Sequence, residues 1–213
     1  MKQYKLFLVI GFLLLLAGCA STYYNTLEKF GVHKRDIMVS RITAARDAQA
    51  EAKEQFVSAL DQFRSVVNVD GGDLEKTYKT LNRSYEACLA KAEEVHKRIA
   101  KVESVAEALF DEWEAELGQY TSAELRRDSA EKLRQTKEQY EQLLLAMKKA
   151  ESRIKPVLSL FHDQVLYLKH NLNARAISSL RGELVTIEQN VDSLVREMEA
   201  SIAEANRFIA SLQ

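Results

Sequence analysis

Apolar residues return along this chain in alternating steps of four and three. From Met38 the set runs through Ile42, Ala45, Gln49, Ala52, Phe56, Ala59, Phe63 and Val66. It stops at Asp70-Gly71-Gly72-Asp73. There the glycines can take the left-handed conformation that ends a helix, and Asp73 can cap the next one. A second stripe joins Leu74, Tyr78, Leu81, Tyr85, Cys88, Ala92, Val95, Ile99, Val102, Ala106, Leu109 and Trp113. A period of 3.5 residues held this long means left-handed supercoiling against another helix. Gly118 closes the second helix, and Thr121 with Glu124 has the spacing of a capping box for a third.

The third helix begins polar, with Leu125, Ala130 and Leu133 among arginines. It turns apolar at Tyr140, Leu144, Met147, Ile154, Leu158, Phe161, Val165 and Leu168. Pro156 removes one helical hydrogen bond and is expected to kink or split this helix near Lys155. Its last turn falls in Lys169 to Ile177, where two asparagines sit. The fourth helix carries Ile177, Leu180, Leu184, Ile187, Val191, Leu194, Met198, Ile202, Ala205, Ile209 and Leu212, with Gly182 inside it at a cost near 1 kcal/mol against Ala. No strand pattern competes. The short turns force antiparallel neighbours. The expected fold is therefore all-α: an elongated antiparallel coiled-coil-like bundle of about four long helices over residues 32–213. At 1.5 Å per residue the rod is roughly 60–75 Å long. A three-helix rod with a folded-back C-terminal helix is the alternative.

Composition agrees, with seven Gly and one Pro in 213 residues. The net charge is −1. This balance argues against an electrostatic nucleic-acid binder. Charge placement is more informative than the total. Glu103, Glu107, Asp111, Glu112, Glu114 and Glu116 crowd the end of the second helix, where acids oppose the helix dipole. Across the Gly118 turn lie Arg126, Arg127, Lys132 and Arg134, and antiparallel packing is expected to bring the two sets together. The same four cations are a candidate docking patch for phospholipid or cell-wall polymer.

The first residues follow a different rule. Lys2 and Lys5 precede an apolar run from Leu6 to Ala17, about a dozen residues, which is signal-peptide length and too short to span a bilayer. The run ends Leu16-Ala17-Gly18-Cys19, which resembles the lipobox of bacterial lipoproteins. That resemblance implies a signal peptide over residues 1–18 and a lipidated tether over 19–31. Loss of Lys2 and Lys5 then takes the net charge from −1 to −3. Cys19 would carry a diacylglycerol on sulfur and an acyl chain, palmitate or similar, on nitrogen, since several chains together anchor stably where one does not. By resemblance to enterobacterial sorting rules, Ala20 favours the periplasmic face of the outer membrane over the inner membrane. Tyr23 and Tyr24 in the tether suit either a lipid interface or the bundle surface.

No catalytic constellation emerges. There is no GxGxxG, GxxxxGK[ST] or GxSxG. His33, His96, His162 and His170 are scattered, and neighbours such as His162 and Asp163 point in different directions on a helix. Glu93 and His96 match one half of a bundle metal site, in a single copy. Cys88 lies on the apolar stripe and reads as a core residue. A ligand pocket near Pro156 is a remaining enzyme or carrier reading. No cofactor and no metal site is expected beyond the covalent lipid.

The segments "HKRDI" at His33, "ARDAQAEAKEQF" at Ala45, "EALFDEWEAEL" at Glu107, "LRRDS" at Leu125 and "VLYLKHNLNARAISSL" at Val165 resemble one family. It is the group of proteobacterial lipoproteins known as domain of unknown function 2959, and the resemblance covers nearly the whole mature chain. It brings no activity or catalytic residue with it. The expectation is a non-enzymatic envelope lipoprotein, a helical scaffold or adaptor for an envelope protein partner. The alternative is a membrane-surface or self-assembling helical module serving envelope integrity.

Overall fold

The computed structural model describes Tyr24 and residues 33–67, 73–171 and 174–212. Among them run four helices: α1 (Lys34–Val67), α2 (Leu74–Leu117), α3 (Ala123–His170) and α4 (Ala174–Leu212). There is no strand among the described residues. Each helix packs on two others: α1 on α2, α2 on α3, α3 on α4, and α4 back on α1. This is the up-down-up-down bundle, and the return of α4 to α1 excludes the three-helix alternative. The longest helix, α3, has 48 residues, roughly 70 Å at 1.5 Å per residue.

The helix ends follow local chemistry. Asp73 is extended (φ −73°, ψ 95°), and its carboxylate accepts from the Lys76 N–H at 3.1 Å, as an N-cap should. The cap of α3 is Ser122, not Thr121. Ser122 is the last extended residue (φ −79°, ψ 117°), and its hydroxyl accepts from the Leu125 N–H at 3.3 Å. The expected capping box is therefore not made, because N3 is now Leu125, which has no carboxylate to return to the cap. At the other end of the rod, the Arg181 guanidinium of α4 donates twice to the Val67 carbonyl, at 3.0 and 2.8 Å. It serves a carbonyl that the last turn of α1 leaves free. Asn171 ends α3, its side-chain amide donating to the Tyr167 carbonyl at 3.0 Å.

The interior is the heptad stripe, widened. Met38, Ile42, Phe56, Phe63, Cys88, Val95, Ile99, Met147, Leu180, Leu194 and Met198 are all fully buried. In α3, however, Leu143, Ala150 and Val157 are buried as well, while Leu144 and Leu158 are half-buried beside them. A helix in a four-helix interior buries a broader face than a two-stranded seam does, so adjacent leucines share the work. Leu125, in the polar beginning of α3, is 58% exposed. In α4 the interior includes Ser201 and Phe208. Phe56 stacks toward Phe161 across the bundle at 6.5 Å.

Helix α3 runs unbroken through Pro156, so the expected split does not occur. Pro156 and Ser152 are both exposed, and the carbonyl the proline cannot satisfy is left on the solvent side.

Among the described residues, one hydroxyl hydrogen bond crosses each seam. Gln62 and Ser84 join α1 to α2. The Trp113 indole N–H donates to Ser129 Oγ at 2.8 Å between α2 and α3. Tyr167 and Ser179 meet at 3.3 Å between α3 and α4. The Ser201 hydroxyl donates to Gln49 Oε1 at 2.7 Å between α4 and α1, and both residues are fully buried. An apolar stripe slides by a heptad at modest cost, whereas a buried polar pair matches in one register only.

Gly182 lies on the exposed face of α4, and a Cβ built there meets nothing within 4 Å. Replacing Gly182 by Ala is expected to raise stability by about 1 kcal/mol, read as a higher urea midpoint with an unchanged slope.

Candidate functional site

The end of the rod that carries the Gly118 turn also carries the start of α1. Tyr24 is 5% exposed there, and its hydroxyl donates to Ser104 Oγ of α2 at 3.4 Å. Of the two readings left open for the tether tyrosines, Tyr24 takes the bundle. Tyr23 and the candidate lipidation segment Leu16, Ala17, Gly18 and Cys19 lie outside the described residues.

Ten residues on, Lys34 begins α1 with its side chain 1% exposed. Its ammonium meets Glu112 Oε1 of α2 at 2.8 Å. A lysine at a helix N-terminus opposes the dipole, as does a glutamate near a C-terminus. Antiparallel packing sets these two unfavourable charges against each other and relieves both. Two further acids of the crowded α2 end find cations on α3. Glu114 pairs with Lys137 at 2.5 Å and Glu103 with Lys148 at 2.8 Å. Lys137 also lies 5.5 Å from the centre of the Phe110 ring.

The expected basic set does not act together. Lys132 turns to Asp128 on its own helix at 2.8 Å. Arg134 holds Glu131 at 2.6 Å and also Glu138. The Arg134 hydrogen bond, with that of Gln135, holds the Glu131 carboxyl down at about 2. Carboxylates three and four residues away on the same helix are nearer than any across the turn. Arg126 and Arg127 have no acidic partner among the described residues; the Arg127 Nε–H donates to the Ala123 carbonyl at 3.3 Å. The acids of α2 are thus answered by Lys34, Lys137 and Lys148, and the four-cation patch reduces to two arginines beside the turn. They are flanked by exposed apolar groups: Tyr120 is 42% and Leu125 58% exposed. Lys34 was legible, since it stands four residues before Met38 and continues the stripe of α1.

The remaining candidates are structural. Cys88 is fully buried, with Sγ 3.7 Å from the Gln55 carbonyl. Burial pushes its thiol up to about 12 against a small opposing effect of Gln55. His96 pairs with Glu151 of α3 at 2.6 Å and not with Glu93, whose partner is Lys97. His162 lies 3.8 Å from Asp163, closer than adjacent helix positions suggest yet too long for a hydrogen bond; its ring packs on Tyr85 at 5.4 Å. Beside Pro156, where the carrier reading would place a pocket, Ile154 and Val157 are buried in the core. An interior gap lined by Phe63, Ser84, Tyr85, Phe161 and Gln164 has a volume of about 10 Å³, room for about one water. No group of three or more metal-ligating side chains and no helix long and apolar enough to cross a membrane occurs among the described residues.

The chain belongs to the family described as "Protein of unknown function (DUF2959)", which matches residues 23–212. No curated protein matches it.

Glu112→Gln removes the carboxylate that stands 2.8 Å from the buried Lys34 ammonium. It is expected to cost about 2–3 kcal/mol, less than a fully buried pair because Glu112 keeps 29% exposure. Glu131→Gln, on the exposed α3 face where solvent screens the pairing with Arg134, is expected to leave the midpoint nearly unchanged; chemical denaturation compares the two. Cys88 is expected to resist a soluble thiol reagent at neutral pH and to react fully in denaturant. Its folded pKa lies above the unfolded value, so the folded state keeps a proton the unfolded chain loses. Its contribution to stability is complete below about pH 9 and declines as pH rises toward about 12. A Cys88→Ala variant should show a smaller loss of stability over that alkaline range.

Proposed function

We propose that this protein is a lipid-anchored lipoprotein of the bacterial envelope, held at Cys19 on the periplasmic face of the outer membrane, and that it works as a helical scaffold or adaptor without catalysis. The observation that carries this reading is a conjunction. An apolar leader ending Leu16-Ala17-Gly18-Cys19 precedes a rod whose described interior is filled by its own side chains, with a gap of about 10 Å³ between α1, α2 and α3. Such a rod offers surfaces and not a chamber. The family resemblance to proteobacterial lipoproteins supports the anchor. Pairing of Lys132, Arg134 and Lys137 with carboxylates weighs against the electrostatic membrane-patch alternative.

The test has two arms in living cells. Metabolic labelling with an alkyne fatty acid should mark the wild type and not Cys19→Ser, and the variant should leave the membrane fraction. Photoreactive residues at Lys149 and Arg196, both exposed and both away from the Gly118 turn, should then capture the same envelope protein reproducibly. Labelling that survives Cys19→Ser overturns the anchor. Adducts only with lipid, or with other copies of this chain, overturn the adaptor role.

A further inference from the structure

Tyr24, five residues after Cys19 in the sequence, docks on the half of α2 that ends at the Gly118 turn. From Cys19 to Tyr24 the backbone spans at most roughly 17 Å. Tyr24 is fixed on α2 beside Ser104. From Ser104 to Leu117 the helix rises roughly 20 Å, and the turn to Ser122 stands beyond that. A chain leaving the rod at Tyr24 reaches about the level of the α2–α3 turn and no further. A rod anchored through it, with this end toward the membrane, cannot hold the turn clear of the bilayer.

The surface at the turn suits that position. Tyr120 and Leu125 are exposed at 42% and 58%. Trp113, the one tryptophan of the chain, lies half-buried just below them with its N–H on Ser129. Arg126 and Arg127 stand at the same turn, both exposed. Tyrosine and tryptophan favour the headgroup level, where a ring meets acyl chain and a polar edge meets water. Arginine donates paired hydrogen bonds to phosphate. Glu116 and Glu124 are exposed at the same turn and offset attraction to anionic lipid, so the contact is interfacial more than electrostatic.

We infer that the α2–α3 turn, through Tyr120, Leu125, Arg126 and Arg127, is a second membrane contact that sets the rod upright on a phospholipid surface. This rests on the lipid anchor at Cys19 proposed above. With two contacts at one end, the rod projects its far end, where Arg181 closes on Val67, away from the bilayer.

The protein carries its own probe. Full-length lipidated protein is reconstituted into phosphatidylethanolamine–phosphatidylglycerol vesicles containing lipid brominated high on the acyl chains. Trp113 fluorescence should be quenched, and the quenching should persist in high salt. Tyr120→Ser/Leu125→Ser, at two exposed positions, should lose most of the quenching while the protein still floats with the vesicles. A Trp113→Phe/Tyr167→Trp variant moves the probe to the opposite end and should be unquenched. Unquenched Trp113 on protein that floats overturns the turn contact and leaves the anchor standing. Equal quenching at both ends means a rod lying flat, which overturns the upright placement. Failure to float overturns the anchor and this contact with it. Capture of a protein by a photoreactive residue at Tyr120, without quenching, assigns the turn to a protein partner instead.

Discussion

Three of the four seams in this bundle are imposed by connectivity, because short turns make α1, α2, α3 and α4 successive antiparallel neighbours. The seam between α4 and α1 is not. Those helices lie far apart in the chain, and their contact turns a folded ribbon into a closed rod. Its centre is Ser201 donating to Gln49 at 2.7 Å in a fully buried setting. Around it, Arg46 reaches Asn206 at 2.9 Å, Lys53 reaches Glu199 at 3.2 Å, Arg64 reaches Glu188 at 2.6 Å, and Arg181 closes on the end of α1. Single exposed pairs of this kind are each worth about 0–1 kcal/mol, so the apolar stripe supplies the attraction. The polar contacts select one register. Gln49 Nε2 is left without a partner, the expected cost of placing an amide in a core.

The chemistry at the turn end follows from the same closure. With α1 held against α2, Lys34 meets Glu112, and the acidic crowd at the α2 terminus gains a counter-charge where its dipole is least favourable. Tyr140 shows the tightness of this end. Phe110 and Phe208 approach it edge-on at 5.4 and 6.3 Å. Burial, with Glu103 and Glu107, pushes its hydroxyl up to about 12.

Most of this fold was legible in the sequence, because a 3.5-residue period is a property of side-chain order and needs no partner to be read. The helices and the buried Cys88 came from that signal, and the Asp73 cap from the glycines before it. What was not legible depended on choices between near neighbours. Ser122 and Thr121 both carry a cap hydroxyl, and only the backbone turn decides between them. Leu143 and Leu144 both reach a wide interior. Lys132 and Arg134 stood opposite a row of acids, yet Asp128 and Glu131 lay one helical turn away and won. Pro156 was read as a break because sequence alone does not say which way it faces. The candidate site was less visible than the fold. The family resemblance carries no residue roles, and the exposed turn emerged only once Tyr24 was seen to dock on α2.

Closure of α4 on α1 is read most directly by pulsed electron–electron resonance on the chain beginning at Ala20. Spin labels go at Arg46 with Asn206 and, separately, at Lys53 with Glu199, all in a Cys88→Ala background. A closed rod gives short, narrow distance distributions for both pairs. Long or broad distributions at either pair would mean that α4 does not stay on α1, and the closed bundle, with the placement of the anchor end built on it, would be wrong.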